Sequence, residues 1–265
     1  MQFTPAINCT HVEVLYTLTM GLPLEDQILN PGVSFIGIDP SWGERTVGYA
    51  AIDHELQLTA IGQGKMKDAL AFAGGRHNAI VAVHAPPRLN QGVVRKMTGN
   101  QLDMRLGEEQ MHQRELSIYK TPSQMSECKR WMVKGFTLYQ RLFELGYQFN
   151  KSGDSAKQII EAAPEACFQI WSQGKLLNKR SLEGRIQRQL LLYELGLDVS
   201  DPMHFFQEIT RHRISMGVLP KEMILRPAEL NALAGAYTAC MVVNQSENIE
   251  LLGDAEEGQI TLPRE

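Results

Sequence analysis

The stretch "SFIGIDPSWGERTVGYAAID" (residues 34–53) decides the fold. "VSFIGID" (33–39) is almost continuously apolar, as a strand covered on both faces must be. "DPSWG" then makes a turn, and the alternating run "TVGYAAID" (46–53) reads as the next strand. "ELQLTAIG" (55–62) follows through a hairpin at Asp53–His54. "KMKDALAFA" (65–73) predicts a short helix, and "AIVAVHAPP" (79–87) a fourth strand stopped by two prolines that cannot continue a central ladder. Asp39 ends the first strand and has two competing roles there. It caps the turn, which aspartate does well, or it holds a metal ion.

Further along, the pattern becomes helical. Thr121, Pro122 and Gln124 form a start signal in "YKTPSQ", and the helix is expected to run to about Gly146, burying Met132, Phe136, Tyr139, Leu142 and Phe143. "KQIIEAAPEA" (157–166) reads as a short strand ending near Glu161, with Pro164 opening another helix. In "EGRIQRQLLLYELGL", Ile186, Leu190, Tyr193 and Leu197 recur at helical spacing. "PAELNALAGAYTACMVV" (227–243) is a helix of small residues suited to close packing on a sheet. The acidic tail ends in a possible strand, "QITLP". Residues 1–31, including "HVEVLYTLTMGLPL", form an N-terminal extension that reads as strand or short helix. The whole predicts an α/β fold with a mixed sheet, one domain over 32–265, and helical insertions near 100–146 and 175–226.

Composition narrows the function. The 265 residues carry a net charge of −4, with 43% hydrophobic and 21% charged. A surface that grips nucleic acid over its whole extent is usually basic, so any such contact must use a local patch. Cys9, Cys128, Cys167 and Cys240 form no C-x-x-C pair, which argues against a zinc site or a disulfide framework. Cys167 and Cys240 read as buried free thiols. No apolar run is long enough for a membrane span, and no basic region precedes an apolar stretch as in a signal peptide. A reducing cytoplasm fits best.

Asp39, His84, Glu161 and Asn231 fall at strand C-termini or at the start of the packed helix, where ligands of open α/β sheets gather. Two-metal hydrolysis of a phosphodiester needs acidic oxygens holding ions roughly 4 Å apart. Asp39 and Glu161 suit that role better than His84 and Asn231.

In the same order along the chain, "GIDPS" (37–41), "VAVHAPPRL" (81–89), "QRELSIYKTPS" (113–123), "IIEAAPEA" (159–166), "NKRSLEGRIQRQLLL" (178–192), "AELNALAGAYTA" (228–239) and "LGDAEEGQITLP" (252–263) resemble the domain-of-unknown-function family 429. The resemblance implies a ribonuclease-H-like fold and metal-dependent nuclease activity. It carries Asp39 and Glu161 over as metal ligands, for magnesium or manganese. It does not carry over His84 and Asn231, where the family has aspartates. Two carboxylates are a poor match for two divalent ions, and an imidazole at position 84 favours manganese or zinc over magnesium. Glu229 lies about 200° around the helix from Asn231.

Basic residues offer phosphate contacts. Arg185 and Arg188 share a helix face near Lys179 and Arg180, and Arg88 and Arg114 belong to resembling motifs. For each, a solvated surface charge is the competing reading, as for "RHR" (211–213). Trp42 reads as a packed turn residue or a stacking surface. Three functions compete. One is a metal-dependent nuclease, and another is a non-catalytic module that binds nucleic acid or protein on the same fold. An actin-like phosphotransferase, the third, needs a second domain that the chain lacks.

Overall fold

In the computed structural model, which describes residues 32–92, 95–97, 100–149, 156–172 and 174–264, strand β1 (Ser34–Asp39) is buried along its whole length. It pairs antiparallel with β2 (Thr46–Ile52), which pairs antiparallel with β3 (Leu58–Lys65). The hairpin between β2 and β3 is held by Asp53, whose Oδ1 accepts from the N–H groups of Glu55 and Gln57, both at 2.9 Å. Helix α1 (Met66–Gly74) leads to β4 (Ala79–Val83), parallel to β1. The small hairpin β5 (Arg95–Met97) and β6 (Asn100–Leu102) precedes α2 (Leu106–Gln113) and α3 (Arg130–Glu144). After β7 (Gln148–Phe149), β8 (Lys157–Ala162) returns parallel to β4, and α4 (Pro164–Trp171) begins at Pro164 as expected.

Helices α5 (Leu182–Glu194), α6 (His204–Gln207) and α7 (Arg211–Ser215) lead to the long α8 (Pro227–Asn244). Strands β9 (Ile249–Asp254) and β10 (Gly258–Pro263) close the sheet. Among the described residues the strand order is β3-β2-β1-β4-β8-β10-β9, with β7 attached to β8. The α/β class with a mixed sheet flanked by helices therefore stands.

The sheet separates two apolar layers. Phe35, Ala82 and Ile160 face Leu230 and Leu233 of α8 and Leu192 of α5. Ile36, Ile38, Val81, Val83 and Ile159 face Leu138, Tyr139 and Leu142 of α3. Helix α8 lies so close to β1 that a Cβ on Gly37 would sit 1.8 Å from the carbonyl oxygen of Ala232. Small residues are therefore a packing requirement there.

Three expectations need correction. The helix expected from Thr121 begins only at Arg130, because the Thr121 N–H and hydroxyl both donate to Glu108 and Ser123 N donates to Asp103. Those contacts hold residues 121–123 as a strap. Phe143 is 45% exposed rather than buried. Its ring meets Tyr139 at a tilt and Phe149 edge-on, and it lines a cavity of about 660 Å³ beside β8. The cavity lies where β10 meets β8 through only Ile260↔Glu161 and Thr261↔Ala162. On α5, Gly184, Ile186, Arg188, Gln189 and Leu192 are buried, as is Leu197 just beyond it, whereas Tyr193 of the expected stripe is exposed. Arg188 and Gln189 share the inner face because their polar heads are buried against backbone carbonyls. Strand β9 is an addition to the expected tail strand. The stretch "HVEVLYTLTMGLPL" and Cys9 lie outside the described residues. Among the described residues, no helix is long and apolar enough to cross a membrane.

Candidate functional site

Parallel pairing sets the site. Ile38 of β1, Val83 of β4 and Glu161 of β8 lie abreast, so the C-terminal ends of three strands coincide. His84 continues the ladder by donating its N–H to Ile38 O at 3.0 Å. Alternation along the strands then parts the two acids. Asp39 follows Phe35 and Gly37 on the α8 face, whereas Glu161 follows Ile159 on the α3 face.

Asp39 is fully buried, and three donors hold it. Ser41 N donates to Oδ1 at 2.7 Å, Asn231 Nδ2 donates to Oδ2 at 2.8 Å, and His84 Nδ1 lies 3.2 Å from Oδ1. The turn-capping contact is thus present. Burial pushes the Asp39 carboxyl up, but the charge of His84 and the hydrogen bonds from His84, Ser41 and Asn231 outweigh it, so its pKa lies below the ordinary 3.8.

Glu161, also fully buried, is held by a different set. Arg105 forks onto it, with Nη1 donating to Oε2 at 2.8 Å and Nη2 to Oε1 at 2.5 Å. Tyr119 Oη donates to Oε1 at 2.6 Å. Arg105 also donates from Nε to Glu108 Oε1 at 2.9 Å and from Nη1 to Glu257 O at 3.3 Å. Glu108 and Arg105 are fully buried. Burial pushes the Tyr119 hydroxyl well above its usual range, with the Glu161 charge adding to it, so it stays a donor.

Side chains at the strand ends join the two acids. The His84 ring lies 5.9 Å from Tyr119 and 6.2 Å from Trp131, and Tyr119 meets Trp131 edge-on at 5.0 Å. The His84 side chain keeps 12% of its surface open. Lys134 donates to Gly43 O and Thr46 O at 3.0 and 2.8 Å. Burial lowers its pKa, and the nearby Asp39 charge opposes that shift.

Of the residues expected to contact phosphate, Arg88 lines the cavity beside β8 together with Glu161, and the others are placed elsewhere. Arg188 is buried, donating to Leu177 O, Gly184 O and Glu165. Arg185 clamps the carbonyls of Leu225 and Ile224, joining α5 to the entry of α8. Lys179 lies 3.9 Å from Glu165, Arg88 donates to Glu256 O, and Arg114 pairs with Glu250. Glu229 accepts from Arg226 N and caps α8. Trp42 is half-buried in its turn, and "RHR" forms the exposed start of α7. Of the sequence-derived candidates, Asp39, His84 and Asn231 form one bonded group. Tyr119 links Glu161 to it.

Arg105, Glu108, Tyr119 and Trp131 are site residues that the sequence does not single out. "QRELSIYKTPS" already contained Tyr119, and the spacing Arg105–Glu108 of a helix start was the one readable signal for the other two. Nothing local ties Arg105 to a strand 56 residues away.

The donor set does not suit a pair of divalent ions. Both oxygens of Glu161 face a guanidinium, and those of Asp39 face N–H donors. Among the described residues no group of three or more His, Cys, Asp and Glu side chains is arranged to hold a metal.

Fold and site together define an α/β domain with a buried ionic network at the C-terminal edge of its parallel strands. Residues 37–257 match the family model described as "Protein of unknown function (DUF429)", and the chain belongs to that family. A comparison with curated proteins returns no match.

Proposed function

We propose that this chain is a nucleic-acid-binding module on a ribonuclease-H-like scaffold, working in a reducing cytoplasm without phosphodiester turnover. The observation that carries this reading is the Arg105 fork on both oxygens of Glu161. A carboxylate so paired already faces a full positive charge, and with Tyr119 three of its four or so lone-pair sites are taken by donors. The scaffold assignment rests on the antiparallel run β3-β2-β1 continuing into parallel β4 and β8. Buried Cys167 and Cys240 are in keeping with the reducing setting.

Binding is assigned to the partly exposed rings of Tyr119, Trp131 and His84. Lys120 and Lys129 are exposed beside Tyr119 and Trp131 in the chain. Rings that take a base, flanked by cations that take phosphate, are the parts of a single-strand platform. This local patch is compatible with a net charge of −4. Fluorescence anisotropy with labelled single-stranded DNA and RNA tests it. Affinity should fall with salt, and Tyr119→Ala or Trp131→Ala should weaken it about 5- to 150-fold, as loss of one base stack does. Cleavage with magnesium or manganese that vanishes in Asp39→Asn and Glu161→Gln would refute the reading.

A second reading keeps metal-dependent nuclease activity. It is favoured by the burial of Asp39 and Glu161 at the ends of strands two places apart, joined through His84 and Tyr119. It requires Arg105 to withdraw from Glu161. Calorimetric titration with magnesium and manganese separates the two.

A further inference from the structure

We infer that the Arg105 guanidinium serves as the built-in cation of an acidic oxygen pocket, one that accepts free guanidinium or a divalent ion once that side chain is removed. The inference rests on the reading just given and says what occupies the place a metal would take.

The pocket is built for one cation. Glu161 Oε1 and Oε2, Glu108 Oε1 and the Glu257 carbonyl oxygen all point at the same guanidinium, at 2.5, 2.8, 2.9 and 3.3 Å. They come from β8, α2 and the turn before β10, so three separate elements converge on it. The two carboxyl groups have one arginine between them. Both are fully buried, and each is further fixed, Glu161 by Tyr119 and Glu108 by Thr121. The backbone is tightly packed around the pocket as well. Gly258, at φ +99°, would place a Cβ 2.7 Å from Pro87 Cγ and 3.2 Å from Arg105 Nη1. Gly107 lets α2 approach so closely that a Cβ there would lie 2.8 Å from Leu252 O.

An all-oxygen set with two negative charges is hard-cation chemistry, suited to magnesium, manganese or calcium. Such ions draw oxygens to roughly 2.0–2.6 Å, closer than three of the four oxygens stand to the guanidinium nitrogens now, at 2.8, 2.9 and 3.3 Å. A metal would therefore contract the pocket and complete its shell with water. Free guanidinium needs no contraction, because it reproduces the charge and the fork of the missing side chain. Emptied, the pocket would hold two uncompensated buried carboxylates, which must take up a proton or a cation.

The test uses the full chain as wild type, Arg105→Ala, and the double variant Arg105→Ala with Glu161→Gln. Manganese uptake is read by electron paramagnetic resonance, and thermal melting is followed with and without millimolar guanidinium or manganese. The expected result is one equivalent of manganese bound by Arg105→Ala and none by wild type at this pocket. Melting of Arg105→Ala should rise with the logarithm of either ligand's concentration, and the double variant should show neither effect. If Arg105→Ala does not fold unaided, its refolding yield from urea becomes the readout, and either ligand should raise it. An Arg105→Ala chain that gains neither uptake, melting temperature nor refolding yield would overturn this inference while leaving the binding-module reading intact. Wild-type chain that binds manganese at a site lost in Glu161→Gln would overturn both.

Discussion

Asn231→Asp puts a second carboxylate against Asp39 with no other change in shape. Asn231 Nδ2 now donates to Asp39 Oδ2 at 2.8 Å, and both residues are buried. In the variant, two acceptor oxygens face each other across that distance, and two carboxylates so placed cannot both ionise. The folded pair keeps one proton, which restores a hydrogen bond between them. Holding it costs about 1.36 kcal/mol for each pH unit above an ordinary aspartate value near 3.9. That is roughly 4 kcal/mol at pH 7 and about 1.5 kcal/mol at pH 5.

The sign follows from linkage. The pair's folded pKa is raised above its unfolded value, so its stability is present at low pH and lost as pH rises. Urea unfolding followed by circular dichroism at both pH values, with the slope m unchanged, measures it. Equal stability of variant and wild type at pH 7, or the same deficit at pH 5 as at pH 7, would refute the reasoning.

Two further predictions concern packing and thiols. Gly37→Ala should cost more than about 3 kcal/mol or prevent folding, because its Cβ would overlap the Ala232 carbonyl. Gly235→Ala meets Ala82 Cβ at an ordinary 3.5 Å, so urea midpoints should show it neutral or up to about 1 kcal/mol more stable through helix propensity. Burial pushes the Cys167 thiol up to about 12 and the Cys240 thiol up to about 11. Brief iodoacetamide treatment of the native chain at pH 8, read by peptide mass spectrometry, should label Cys128 and spare both. Labelling of Cys167 at the rate of the unfolded chain would contradict the buried placement.

Much of the scaffold was legible because burial writes itself into hydrophobic runs. "VSFIGID" and "AIVAV" are continuously apolar since helices cover both sheet faces, and "AELNALAGAYTA" is small because Gly37 and Gly48 bring α8 onto β1 and β2. Strand ends located Asp39, His84 and Glu161 correctly, and the helix start located Asn231. What the residues do with one another was not legible. Register placed Asp39 and Glu161 on opposite faces of the sheet, a matter of counting parity across three strands. Thr121 carries a helix-start signal, yet its hydroxyl is taken by Glu108, 13 residues earlier. Arg188 and Arg185 looked like a phosphate-binding face but fold inward, because α5 must join α8 and Glu165 through polar groups. A long-range partner overrides a local pattern in each case.

The most direct test of the central claim is titration of manganese into the wild-type full chain, with Asp39→Asn and Glu161→Gln as controls. Carboxylates committed to Arg105, Tyr119, Asn231, Ser41 and His84 should give no uptake that depends on either acid. Stoichiometric manganese binding, abolished by both substitutions, would contradict the account.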